Sequence, residues 1–374
     1  MEFEVVKENF AKALSVVNKA ISAKASLPIL SNVLISQDNK RLKIVATDLD
    51  KSIITWVGAK ITGDASTTIP AKPLLGFVSS LNDEKITGKI EKDTLKLKTN
   101  TTEASFNGVS SKDFPTLDYE LSDNYFEIPT GVLKRAVEET YFSASTDDSK
   151  PAWTGILFNV VDKNLHIVAL DGYRLSKKEV LIDTGIKNFK GNFTKVIIPA
   201  KNLLEVVRLA SNEETIKIDI QDKRSVALFY VEDILFVSKV LDGDFPDYNA
   251  AIPKDIVVEF EVSAETLANA LKLASVFAQE QNAIRLSIKA KDSVVTVLSD
   301  NVELGANKLD ISVDSVKGDD LDIAFNAKYI LDYLTNVPSD TLIIKCSGQS
   351  SPAVFIPKGR EDYIHVAVPL NPYW

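Results

Sequence analysis

A chain of 374 residues with 45% hydrophobic side chains, 43 Lys and Arg, and 52 Asp and Glu is long enough for two or three domains with cores of their own and too apolar to be disordered. Its formal charge of −9, taken as a sum, argues against nucleic acid, and no apolar run has the length of a membrane helix. The single cysteine, Cys346, excludes an intrachain disulfide and suits a reducing cytoplasm, the expected location.

In chain order, residues 1–7 lack the basic and apolar regions of a secretion signal. A 3.6-residue periodicity predicts helices over residues 7–24, 71–80, 130–142, 200–212, 263–279 and 327–336. Period-2 alternation predicts strands between them, most clearly at 94–99 and 215–220. Turn residues gather near 118–124 and 253–255.

Four phrases recur in one order. Phe3-Glu4, Phe126-Glu127 and Phe260-Glu261 each precede a helical pattern. Val45-Ala46-Thr47-Asp48, Val168-Ala169-Leu170-Asp171 and Val297-Leu298-Ser299-Asp300 each place an Asp just after a strand. Ile69-Pro70-Ala71-Lys72, Ile198-Pro199-Ala200-Lys201 and Phe325-Asn326-Ala327-Lys328 each open an apolar helix, and Pro70 and Pro199 stand where a missing N–H costs nothing. Asp113-Phe114-Pro115 and Asp244-Phe245-Pro246 close two units and Asp362-Tyr363 the third. The recurrence predicts three homologous units of about 125 residues, with domains at 1–121, 122–256 and 257–374. Each is an α+β layer of two helices packed on antiparallel sheets.

The six helical spans carry 11 basic and 6 acidic side chains, a net +5, leaving −14 for the rest of the chain. Lys12, Lys19, Lys72, Lys134, Arg135, Lys201 and Arg208 are the candidates for a common basic face suited to loose phosphate contact. One lysine-bearing helix alone would read equally well as a solvated surface.

The residues resemble a known family, the bacterial sliding clamps or DNA polymerase III β subunits, over essentially the whole length. The resemblance rests on Ser26-Leu27-Pro28-Ile29-Leu30-Ser31-Asn32, Ala46-Thr47-Asp48-Leu49-Asp50, Asp171-Gly172-Tyr173-Arg174-Leu175, Asp244-Phe245-Pro246-Asp247-Tyr248 and Val366-Ala367-Val368-Pro369-Leu370. It implies a processivity factor rather than an enzyme, a head-to-tail homodimer that closes a ring of six domains around duplex DNA, and no cofactor. Phe106 and the pair Val276 and Phe277 would then meet across the dimer interface. A cleft between domains 2 and 3 would take peptides from the polymerase III α subunit, clamp-loader subunits and other proteins with a clamp-binding motif. By position its lining would be Trp153, Leu157, Leu170, Gly172, Tyr173, Arg174, Leu175, Pro246, Val354, Val366, Val368, Pro369 and Leu370. Lys24 matches a basic residue on the ring's inner rim, and Lys150 lies in a loop used near the duplex. The chain departs from the family pattern at Trp153, at Ala250 and Ala251, and in its tail, Asn371-Pro372-Tyr373-Trp374.

Two other readings of the residues stay open at this point. Asp147-Asp148 or the run Asp242, Asp244, Asp247 would suit Mg²⁺ or acid–base work, although both sit in turn-like contexts where Asp serves the backbone. His166 and His365 lie in apolar surroundings and read as strand residues, and with one cysteine they make no ordinary structural zinc site. The remaining alternative is a three-repeat scaffold that binds peptides without encircling DNA.

Overall fold

The computed structural model describes residues 1–22, 27–191, 193–210, 214–278 and 282–371. Seven helices are assigned among them: α1 (Lys7–Asn18), α2 (Ala71–Ser80), α3 (Thr130–Glu138), the four-residue α4 (Ile182–Gly185), α5 (Ala200–Leu209), α6 (Ala264–Ser275) and α7 (Ala327–Asn336). Apart from α4, they fall in pairs at equivalent places in three successive repeats. The repetition extends to single hydrogen bonds. The first amide of α1, α3 and α6, at Lys7, Thr130 and Ala264, donates to the carbonyl of Glu84, Glu214 and Asp340 respectively, at 2.9 Å each time.

Local signals set where these helices begin. Strands Thr67–Pro70 and Lys195–Pro199 end on a proline, and α2 and α5 start at the next residue. In the third repeat Asn326 takes that place, and its side chain caps α7 by accepting from the Lys328 amide at 2.9 Å. Ser263 caps α6 in the same way through the Thr266 amide. The inward face of α1 is Phe10, Ala13, Leu14 and Val17, all buried at the spacing of one helical stripe.

Helices α1, α3 and α6 end earlier than their apolar periodicity predicts, and short i→i−3 bonds close two of them: Lys19 to Val16 after α1, and Val276 to Leu273 after α6. Beyond α3 the Thr140 hydroxyl bonds the Ala136 carbonyl at 2.6 Å, and a 3₁₀ turn, Tyr141–Ser143, replaces the expected helix.

The chain forms two compact units. One comprises Met1–Thr130, Ile186–Asn192 and Glu205–Val240; the other comprises Gly131–Gly185, Phe193–Leu204 and Leu241–Trp374. The first is built on a 12-stranded sheet whose pairings are antiparallel. In it the strand Lys51–Thr62 of the first repeat pairs with Ile234–Lys239 of the second. One edge of that sheet is Glu103–Asn107. The second unit holds a nine-stranded sheet, in which Arg174–Leu181 of the second repeat pairs with Tyr363–Ala367 of the third, and a separate four-stranded sheet edged by Gly305–Ser312.

Turns close these strands by one device used three times. Asp48 Oδ1 accepts from the amides of Asp50 and Lys51, and Asp171 Oδ1 from those of Tyr173 and Arg174. The third copy is shifted by one residue from the sequence expectation. Asp300 lies within the strand Val294–Asn301, and Asn301 accepts from the amides of Glu303 and Leu304. The thiol of Cys346 is buried in the third repeat, and burial pushes it up to about 12.

Gly88 is a sharp test of packing in the first unit. A Cβ there would lie 2.0 Å from the ring of buried Phe3, whereas a Cβ at Gly58 meets nothing within 4 Å. Gly88→Ala is expected to lower stability by about 1–3 kcal/mol through displacement of Phe3, with Gly58→Ala close to neutral, both measured by urea unfolding.

Candidate functional site

The second unit gathers several of the apolar residues expected to form a cleft around one face of one strand pair. Because side chains alternate along Arg174–Leu181 and Tyr363–Ala367, Leu175 and Val366, directly opposite in register, share a face. They join Leu157, Leu170, Val354, Phe245 and Tyr248 in one buried apolar cluster. Five of the thirteen expected lining residues (Leu157, Leu170, Leu175, Val354 and Val366) therefore make its floor. Trp153, Arg174, Pro246, Pro369 and Leu370 are half-buried around it, and Gly172, Tyr173 and Val368 are exposed.

The rim is built by the Asp171 turn. Gly172 takes a left-handed backbone, φ +93°, and a Cβ on it would stand 3.0 Å from the Trp153 ring, so the glycine admits both the turn and the indole. Lys150 extends its ammonium over the same indole at 3.9 Å, a cation–π contact. Arg174 donates Nε to Asp171 at 3.1 Å and Nη1 to Asp332 of α7 at 2.6 Å, and its guanidinium lies 4.6 Å from the Tyr329 ring centre. The guanidinium is thus a fixed part of the wall. Tyr173, 59% exposed, stacks on Tyr329 at 6.2 Å. The last described segment crosses this region by two main-chain bonds, Val368 to the Tyr173 carbonyl and Leu370 to the Ala324 carbonyl, both 2.8 Å. Tyr373 and Trp374 lie outside the described residues.

Tyr329 and Ile364 belong to this site although sequence reasoning passed over them. Ile364 could have been found, since it alternates with Val366 on the cleft face. Tyr329 could not, since only the fold brings α7 beside the Asp171 turn.

On the reverse face of the same strands, Ser176 opposes His365. His365 Nδ1 and the Ser176 hydroxyl are 2.9 Å apart, and the imidazole stacks on Tyr333 at 4.9 Å. Burial, with Arg174's charge adding to it, lowers the His365 pKa to about 3. His166 sits instead beside Tyr248, 2.8 Å from its hydroxyl. Two of the aspartates weighed as metal or acid–base groups serve local turns: Asp147 accepts from the Ser149 amide and hydroxyl, and Asp247 from the Asn249 amide.

The basic candidates divide by environment. Lys72, Lys134, Lys201 and Arg208 are exposed and make no ion pair with another described residue. Lys19 is paired with Glu205 at 2.6 Å, Arg135 with Glu139 at 3.0 Å, and Lys12 loosely with Glu232 at 3.8 Å. Lys24 lies outside the described residues. Of the interface candidates, Phe106 stands on the edge strand Glu103–Asn107, half-buried against Phe77 with ring centres 5.4 Å apart. Val276 is 65% exposed just past α6, Phe277 is half-buried, and Leu273, one turn earlier, adds a 53% exposed apolar side chain that sequence reasoning missed.

A cavity of about 360 Å³ in the first unit, beside Trp56, Tyr119 and Tyr230, is a poorer candidate. Its cations are already used, Arg41 by Asp233 at 2.8 Å and Lys43 by Asp38 at 3.9 Å.

Comparison with known proteins gives one consistent result. Three family models, described as the N-terminal, central and C-terminal domains of the DNA polymerase III beta subunit, match residues 1–118, 127–247 and 249–371. A beta sliding clamp of Haemophilus influenzae is 29% identical over 96% of this chain and 99% of its own. One from Halalkalibacterium halodurans is 26% identical over the whole of both. Among solved structures, a DNA polymerase sliding clamp from Bacillus subtilis superposes with a TM-score of 0.93 at 25% identity over all of both chains. A DNA polymerase III beta chain from Streptococcus pneumoniae gives 0.92 at 28% identity, over 99% of this chain and 100% of that one.

His365 yields a pH test. Below its ordinary pKa of 6.5 the unfolded chain binds a proton there, and the folded chain does not until about 3. Stability is therefore lost as pH falls through that window, by about 1.4 kcal/mol per pH unit. His365→Gln is expected to remove about 2 kcal/mol of the loss between pH 7 and pH 5, read from urea unfolding of both proteins at the two pH values.

Proposed function

The chain belongs to the DNA polymerase III β-subunit family, and from that premise we infer that it is a sliding clamp, a processivity factor that holds a DNA polymerase on its template. The observation that carries this is the run of three β-subunit domains, in order, over nearly the whole sequence, on a fold that superposes along the full chain with a solved clamp.

We propose further that two chains close a ring around duplex DNA. Two features support this. The large sheet of the first unit ends on the short edge strand Glu103–Asn107, and the four-stranded sheet of the second ends on Gly305–Ser312, so the chain carries two unlike edges with unsatisfied main-chain groups. Beside one edge stand Phe106 and Phe77; near the other, Leu273, Val276, Val302 and Leu304 are exposed. Unlike patches that pair head to tail generate a ring when the rotation closes. The exposed Lys72, Lys134, Lys201 and Arg208 would then supply phosphate contacts without reading bases, as sliding requires.

In the same proposal the Trp153 cleft anchors short peptides of polymerase and other partners: apolar side chains over the Leu175 and Val366 floor, and main chain against the Tyr173 and Val368 rim. Tethering acts by raising local concentration, and the clamp itself performs no chemistry.

Retention on closed circular DNA with release on linearisation is the expected behaviour; equal persistence on both forms would sink the encirclement reading. The combination Lys72→Glu, Lys134→Glu, Lys201→Glu is expected to weaken low-salt duplex binding at least tenfold and to flatten its salt dependence. Leu273→Asp with Val276→Asp should shift the species in sedimentation from dimer to monomer.

A further inference from the structure

The reverse face of the strand pair that floors the cleft holds a cluster of charge, buried at Glu139 and Lys178, with no part in the functions proposed so far. Glu139, at the end of α3, is 1% exposed and receives Arg360 through both guanidinium ends, Nη1 at 2.8 Å and Nη2 at 2.7 Å. Arg360 also gives Nε to Asp362 at 3.2 Å, and Asp362 accepts from Lys178. Lys178 is 5% exposed and lies opposite Tyr363 in the ladder, and the Tyr363 hydroxyl reaches the Glu139 carbonyl at 2.9 Å. Glu139 and Lys178 belong to the second repeat, Arg360 and Asp362 to the third, so the cluster spans the repeat boundary.

The corresponding boundary in the first unit is built otherwise. Where Ser176 faces His365 and Lys178 faces Tyr363, the strands Lys51–Thr62 and Ile234–Lys239 oppose Ile53 to Phe236 and Thr55 to Ile234. On this face the first junction carries buried side chains without charge, and the ion pairs that cross it, Arg41 to Asp233 at 2.8 Å and Lys239 to Asp50 at 3.2 Å, are exposed. A bidentate arginine–carboxylate pair is satisfied in one geometry only, and buried ion pairs contribute little net stability against an apolar replacement while serving best to fix register. Register matters here because a one-residue slip would turn Leu175 and Val366 away from the cleft.

We propose that Glu139, Arg360, Lys178 and Asp362 are positioning residues that lock the register of Arg174–Leu181 against Tyr363–Ala367 and thereby keep the peptide cleft preformed. The functional half rests on the cleft reading above; the register half does not.

The test replaces the pair by apolar groups of similar size, Glu139→Leu with Arg360→Met, in the full-length chain. The urea midpoint is expected to stay level or rise. Amide-exchange protection at residues 175–178 and 364–366 is expected to fall at least tenfold relative to the nine-stranded sheet's other strands. Affinity for a fluorescein-labelled peptide with adjacent Leu and Phe anchors should fall at least tenfold. Arg360→Lys, which keeps the charge and loses the fork, should show the same two losses in smaller measure. Unchanged protection at these residues in the double variant overturns the register lock, and unchanged peptide affinity overturns its role in the cleft. A probe that fails to bind the unsubstituted protein speaks against the peptide reading instead, and the exchange measurement still decides the lock.

Discussion

Main-chain pairing across repeat boundaries is the constraint on which the rest of the molecule depends. Three copies of one unit could have folded as separate beads. Instead, Lys51–Thr62 binds Ile234–Lys239, and Arg174–Leu181 binds Tyr363–Ala367, so each large sheet runs on from one repeat into the next. A ladder fixes which side chains share a face. In the second unit that single choice sends Leu175 and Val366 to one side and Ser176, Lys178, Tyr363 and His365 to the other. The apolar floor and the polar seam behind it are two readings of one register.

Much of this architecture was legible in the sequence because repetition amplifies weak signals. A Pro-Ala-Lys phrase means little once; with its Asn-Ala-Lys counterpart it marks the start of α2, α5 and α7. The ends of helices were harder to place, because apolar periodicity continues past the point where the chain tightens into i→i−3 bonds after α1 and α6. The shift from Asp300 to Asn301 shows the same limit: both residues suit a turn, and only the strand pairing selects between them.

For the candidate cleft, sequence position grouped apolar residues that the fold does bring together, but not their exposure. Motif positions place Leu157 and Val354 beside Tyr173, yet the first two are floor and the third is open to solvent. Charge counting has the same weakness. Lys19 and Arg135 add to a basic total, but each is bonded to a carboxylate, and only the folded chain shows it. The Glu139 cluster left no local trace at all, because its members come together from distant parts of the chain.

The buried thiol of Cys346 has a practical side. With its pKa pushed up to about 12 and its side chain buried, it is almost wholly un-ionised at neutral pH and shielded from alkylating dyes. Since the sequence holds no second cysteine, a single thiol engineered onto an exposed helix face would take a fluorophore or spin label selectively, with the native residue left in place. The fold supplies its own silent background for such a label.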